Sequence, residues 1–444
     1  MGRALHRLVV NIYAIVLFPA YAGLVLLFNH TLAVYAFCFP LFSVLLYRHG
    51  RQLLPVPPLL AIGCLMLCIG LCRPNLLKKF INANQAEMTL YLIVLVIEAL
   101  VLINHKGAAS FSHLLGRTSF ALIILAVAAN VRDIRSMRNA LYAFALSMGI
   151  LGVLTVLHGF HIFSLPIAMY YLPARTFLGV KFPVPRTIGI NMSYGEFGIM
   201  AAFATAILMY SYLSPYKIFA SRLLKWAVSL ALGAGILVSQ GRGVFLGVGA
   251  AGFLSFVIGS EVVKGFYTSH WQQRSRAWML ALAFSVVLVL GIAVFMPTAA
   301  ESDLINVNTI RSQDNAASRV RINQAGIATL LENPFLGIGH GAYTADDAGA
   351  GIHNHFLEQF VATGLLGGLP YLSFYLLMVW NAWQTLTRSD QAELRGFGCI
   401  FLIAMIATIM EYQVFPGFLV ETVGLLCGLI LSAKILVAEP QVAL

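Results

Sequence analysis

Residues 353–368 read His-Asn-His-Phe-Leu-Glu-Gln-Phe-Val-Ala-Thr-Gly-Leu-Leu-Gly-Gly, where a long polar stretch meets an apolar segment. Two imidazoles (His353, His355), an amide (Asn354) and a carboxylate (Glu358) therefore stand at a membrane boundary. Such groups are costly to bury in lipid and are functional candidates wherever they occur there. A neutral imidazole accepts a proton from a sugar hydroxyl near neutral pH, which makes His353 the candidate general base. Glu358 follows His355 by three residues, on the same helix face, and is placed to orient it. Gly364, Gly367 and Gly368 form a small-residue face that allows close helix packing behind the site.

A second set of groups is cationic. Arg186 lies in Pro-Val-Pro-Arg-Thr and Arg242 in Ser-Gln-Gly-Arg-Gly, both at the mouths of apolar segments. Arg319 and Arg321 lie on a helix-like stretch, 315–332, which ends before Asn333-Pro334 as a helix should. Guanidinium groups bind phosphate bidentately and stay charged at any relevant pH, so several converging on one pocket suit a lipid-linked diphosphate. Arg319 and Arg321 are two apart and point to different faces, so one of them reaches the ligand. For Arg175 and Lys181, snorkelling to headgroups is the better account. Glu196 follows Asn191, Ser193 and Tyr194 in the span after Arg186 and is read as facing the same pocket. Glu98, Glu411 and Glu421 also stand in apolar segments, a feature of ion or proton pathways that raises a secondary transporter as a rival. Leu336-Gly337-Ile338-Gly339-His340-Gly341 has no strand–helix context for a nucleotide and reads as a turn, with His340 a satisfied loop residue. The acidic side chains include no Asp-x-Asp pair, and Asp346-Asp347 reads as a solvated turn. No metal and no cofactor is expected.

These groups must be positioned by membrane helices. The chain is 60% hydrophobic and 10% charged, with a mean hydropathy of +0.85. A soluble domain carries about 25% charged residues, so this is an integral membrane protein. Apolar segments of helix-spanning length fall near 10–28, 31–47, 56–72, 88–104, 111–131, 140–158, 188–211, 224–241, 243–260, 277–296, 356–383, 395–413 and 417–437. Short basic loops (Arg132, Arg135 and Arg138; Lys217, Arg222 and Lys225; Lys264, Arg274 and Arg276; Arg388 and Arg395) fix the cytoplasmic side. The expectation is a single all-α membrane domain over 1–444, with about twelve spans and both termini cytoplasmic. A basic loop, 158–187, and a large, partly helical loop, 297–355, fall outside. The net charge of +11 points to anionic lipids or an anionic substrate, and not to nucleic acid, since no soluble basic module carries it. All six cysteines lie in or beside apolar segments, and no disulfide is expected.

Two stretches carry a resemblance. They are Ser318-Arg319 through Asn333-Pro334-Phe335-Leu336-Gly337-Ile338-Gly339-His340-Gly341, and His353-Asn354 followed after nine residues by Gly364-x-x-Gly367. Together they resemble the core of the O-antigen ligase and polymerase superfamily of polytopic membrane glycosyltransferases, over about residues 186–437. Within it the chain looks most like the ligase that joins O-antigen polysaccharide from undecaprenyl diphosphate to lipid A-core, at the periplasmic face of the bacterial inner membrane. The resemblance implies an essential histidine at His353 and substrate-binding arginines at Arg186, Arg242 and Arg319 or Arg321. His355 replaces the family's usual aliphatic neighbour and competes for the catalytic role. Polymerases often show Arg, ten residues, then Gly; here Arg186, Arg311, Arg319 and Arg321 are followed at that spacing by Phe197, Ile322, Leu330 and Glu332. Relatives that transfer glycan to protein usually carry a longer C-terminal extension than this chain.

Overall fold

The computed structural model describes residues 32–33, 35–37, 74–105, 108–131, 133–162, 171–172, 176–177, 180–181, 186–187, 194–214, 216, 218–239, 241–264, 316–343, 352, 354–413 and 420–438. The expected segments 10–28, 56–72 and 277–296, and most of 31–47, lie outside these residues. So do Asp346, Asp347 and His353.

The helices are α1 (Pro74–Ala83), α2 (Gln85–Asn104), α3 (Ala108–Asn130), α4 (Ile134–Gly159), α5 (Tyr194–Leu213), α6 (Arg222–Ser239), α7 (Arg242–Lys264), α8 (Ala316–Glu332), α9 (His355–Arg388), α10 (Ala392–Tyr412) and α11 (Val420–Ala438). Nine expected segments thus become helices, as does the stretch preceding Asn333-Pro334. Among the described residues α2, α3, α4, α6, α9 and α10 are long and apolar enough to cross a membrane, and α5, α7 and α11 carry shorter apolar stretches. The protein is a multi-pass membrane protein.

Two features depart from the sequence reading. Residues 74–83, between the expected segments 56–72 and 88–104, form a helix, opened by a proline whose missing N–H costs nothing at the first position. It turns Phe80 inward and leaves Lys78 and Lys79 exposed. The basic loop 158–187, in a chain expected to be all-α, holds four strands of two residues each among the described residues. β1 (Tyr171–Leu172) pairs with β4 (Arg186–Thr187), and β2 (Thr176–Phe177) with β3 (Val180–Lys181), both antiparallel.

One continuous apolar core runs through the bundle. α5, α7 and α10 pack together, α4 lies along α6, α3 lies along α11, and α9 touches α2, α10 and α11. The α4–α6 contact depends on missing side chains, since a Cβ on Gly235 would lie 2.7 Å from the Gly152 Cα. At one end of the bundle, α2, α9 and α11 are joined by Glu87, which accepts from Asn381 Nδ2 at 2.7 Å and pairs with Lys434 Nζ at 2.6 Å. Arg138 and Glu393, 3.3 Å apart, join the starts of α4 and α10 at that same basic end. Asp133 begins α4 with a capping box, its carboxylate accepting from Ser136 N at 2.7 Å. The opposite end holds residues 354–363.

Candidate functional site

α9 is not one straight rod. At Gly364 the backbone takes φ 63, ψ −166, outside any helical region. Sixteen residues of unbroken helix would hold His355 and Tyr371 about 24 Å apart. Instead His355 Nε2 lies 2.8 Å from the Tyr371 hydroxyl, and the Phe356 and Tyr375 rings meet at 5.5 Å. A Cβ on Gly368 would run into the Phe360 ring, and one on Gly367 into Thr363. Partners 355 with 371, 360 with 368 and 363 with 367 follow the pattern of an antiparallel hairpin. The chain therefore reverses at Gly364, and a short arm, 355–363, lies back along a long arm, 365–388. At 1.5 Å per residue the long arm measures about 36 Å, enough on its own to span a bilayer core of about 30 Å. The apolar segment 356–383, expected as one crossing, is corrected to a short arm and a span beginning at 365.

This geometry explains the spacing in the sequence. The nine residues between Asn354 and Gly364 are the short arm, Gly364 is the reversal, and Gly367 and Gly368 let the arms close. Of the three glycines expected to form one packing face, Gly367 and Gly368 let the arms of a single helical hairpin close, and Gly364 is instead its turn.

A reversal exposes backbone groups that must be satisfied in a membrane protein. The glycine-rich loop supplies the partners. Ile338 N donates to Val361 O and Gly339 N to Ala362 O, each at 3.0 Å. Leu365 N donates to Pro334 O at 2.7 Å and Leu366 N to Phe335 O at 3.2 Å. Residues 334–339 thus plug the break, with Gly337 and Gly339 at φ 67 and 87 to follow its contour. α8 is held beside the plug by a small apolar cluster of Ile322, Ile352 and Val361, and by Tyr343, whose hydroxyl donates to Ile322 O at 2.9 Å.

Asn354 caps the short arm, accepting from Leu357 N at 3.0 Å. Its Nδ2 donates to Gln413 Oε1 at 2.8 Å, tying the arm to the end of α10. His355 is 2% exposed, with its ring 4.5 Å from that of Tyr412. Glu358 comes within 3.8 Å of His355 Nδ1, the neighbour expected for it. His355 thus braces the two arms from inside, whereas His353 immediately precedes the cap. The backbones of Arg186, Arg242, Arg319, Arg321 and Glu196 are described, in β4, α7, α8 and α5; their side chains lie outside the described residues. β4 packs against α4 and α6, and α6 ends at Ser239, three residues before Arg242.

Behind the short arm lies a polar cluster that sequence reasoning missed. Glu98 on α2, Arg117 on α3 and Gln359 on the short arm are each 1% exposed. His340 Nε2, on the plug, donates to the Glu98 carboxylate at 2.9 and 3.1 Å. Gln359 Nε2 donates to Glu98 Oε1 at 2.9 Å, and Arg117 Nη2 donates to Gln359 Oε1. Arg117 Nε lies 3.6 Å from Glu98 Oε1, and the guanidinium sits 4.1 Å from the Tyr371 ring centroid. His113 stacks on His340 at 3.8 Å. A charged residue in each of two apolar segments was the available signal. Glu411 differs: it is 1% exposed, and neither carboxylate oxygen has a hydrogen-bond partner among the described residues.

A family model described as O-antigen ligase matches residues 226–372, from within α6 to just past Tyr371. That stretch contains Arg242, α8, the plug, the short arm and the reversal. A search of curated proteins gives no match.

Proposed function

We propose that the chain is the lipopolysaccharide O-antigen ligase of the O-antigen ligase/polymerase superfamily, a reading supported by the match of residues 226–372 to a family model described as O-antigen ligase. It takes O-antigen polysaccharide from undecaprenyl diphosphate and joins it to a sugar hydroxyl of lipid A-core. The reaction runs at the periplasmic face of the bacterial inner membrane, in a chain of about twelve spans. The acceptor oxygen attacks the anomeric carbon of the donor while His353 takes the hydroxyl proton. The bond from that carbon to the diphosphate oxygen breaks, and undecaprenyl diphosphate leaves with the electron pair. Arg186, Arg242 and one of Arg319 and Arg321 stabilise the charge that develops on it.

The observation that carries this reading is the hairpin at Gly364, which gives the His-Asn, nine-residue, Gly-x-x-Gly spacing a physical purpose. It is capped by Asn354, the residue that follows His353 in the sequence. Absence of the Arg, ten-residue, Gly spacing at Arg186, Arg311, Arg319 and Arg321, in the two loops expected outside, favours the ligase over the polymerase. The transporter reading loses support because Glu98 is locked by Arg117, His340 and Gln359 rather than facing a path.

A null strain tests the assignment. Lipid A-core without any polymer, while undecaprenyl-linked chains still accumulate, supports the ligase. A single repeat unit on the core would make the protein a polymerase. Complementation with His353→Ala should restore membrane-inserted protein but no transfer; normal transfer by that variant removes His353 from the mechanism.

A further inference from the structure

Two segments, the short arm and the plug, meet at the candidate site, and each also reaches across the bundle to α2. The short arm is joined to the bundle by Gln359, and the plug by His340. Both side chains end on one carboxylate, Glu98, whose partners stand 242 and 261 residues away in sequence. Glu98 is on α2, outside the matched residues 226–372. Arg117, on α3, balances its charge and donates to the same Gln359. Thr363, the last residue before the reversal, accepts from Gln359 Nε2 at 3.1 Å and donates to the Gln359 carbonyl at 2.8 Å. The chain of contacts therefore runs from α2 to the turn itself.

We propose that Glu98, supported by Arg117, is the positioning residue that fixes the short arm and the plug against the bundle, and so holds the helix that follows His353 in the sequence. This rests on the ligase reading only for its effect on transfer. A carboxylate suits the task because its two oxygens accept from both segments at once. An amide replaces one of these acceptors with N–H donors that face other donors, and it carries no charge to pair with Arg117. A purely structural ion pair would act differently, since replacing a buried pair with apolar residues of similar volume commonly leaves stability unchanged or raised.

The test uses the full chain, purified in nanodiscs, as Glu98→Gln and as Glu98→Leu/Arg117→Met. The double variant removes both charges, so no uncompensated ion is left to unfold the bundle. Hydrogen exchange is followed at the amides of Ile338, Gly339, Leu365 and Leu366, which bond plug to hairpin, with α10 as the internal reference. Transfer is measured with undecaprenyl diphosphate-linked glycan as donor and purified lipid A-core as acceptor. In both variants exchange at the four amides should accelerate while α10 is unchanged. kcat should fall roughly ten- to a hundredfold, the scale expected of a misplaced catalytic group, with donor KM unaltered. Wild-type exchange at those amides overturns the anchoring role, and fast exchange with unchanged kcat overturns the positioning role. If the unaltered chain transfers no glycan, the ligase reading fails and the positioning role with it, whereas exchange still decides whether Glu98 is the anchor.

Discussion

A guanidinium and an ammonium carry the same charge, but only the guanidinium offers a planar pair of donors that matches a diphosphate. Arg242 is the first residue of α7, where the helix terminus also favours an anion. Losing a bidentate, charge-assisted pair costs about 1.5–3 kcal/mol, or roughly ten- to a hundredfold in rate. Arg242→Lys should therefore damage transfer nearly as much as Arg242→Ala in an assay with defined donor and acceptor. Full activity in the lysine variant would reduce Arg242 to anchoring the helix in lipid headgroups. Glu411 poses the opposite problem. It is buried between α5, α7 and α10, and a Cβ on Gly198 would lie 2.9 Å from its Oε1, so a glycine makes room for it. A buried carboxylate with no hydrogen-bond partner among the described residues lowers stability, and an unbranched apolar chain of similar size should relieve this by about 1–3 kcal/mol. Glu411→Met should then raise the thermal midpoint of the detergent-solubilised protein. A fall would show that the carboxylate makes a favourable contact beyond those described.

At the scale of elements, Gly364 does what no other residue would do at low cost. Its φ of 63 with ψ −166 is a region essentially confined to glycine, and a Cβ there would overlap the Phe335 carbonyl. Gly364→Ala should cost about 3 kcal/mol or more, from backbone strain together with loss of the plug's hydrogen bonds. The check is the thermal midpoint, read beside Gly233→Ala, whose Cβ meets nothing within 4 Å. Equal midpoints would mean that the hairpin tolerates a side chain at its turn. Hydropathy made most helices legible: 224–241 became α6 and 395–413 became α10, within a few residues. The reversal was not legible, because mean hydropathy has no direction and both arms of 355–388 are apolar. The glycines signalled close packing correctly, but not that the partner was the preceding nine residues. The Glu98 cluster could not be read from spacing, since its hydrogen bonds join residues more than 240 positions apart.

At the scale of the whole molecule, the two ends of the bundle differ in kind. The starts of α4, α6 and α10 and the ends of α5, α9 and α11 gather at one end. They are linked there by Arg138 with Glu393, Lys434 with Glu87, and Lys225 Nζ donating to Ser211 O at 2.9 Å. Arg135, Arg222, Arg388 and Arg395 stand at those same helix termini. Short loops rich in Lys and Arg stay cytoplasmic during insertion, and the expected orientation has this end inward. Asn354, Gln413 and the plug stand at the other end, which the proposed function turns outward. The orientation is measurable with single cysteines in a chain whose six native cysteines are replaced by alanine. Ala342, just beyond the plug, and Asp390, between α9 and α10, are both exposed. In cells with a permeabilised outer membrane, a membrane-impermeant maleimide should label Ala342→Cys and leave Asp390→Cys unmodified until the cells are lysed. Labelling of Asp390→Cys alone before lysis would invert the molecule. The His353 region would then lie in the cytoplasm, where lipid A-core is not met in the orientation that the ligase reaction needs.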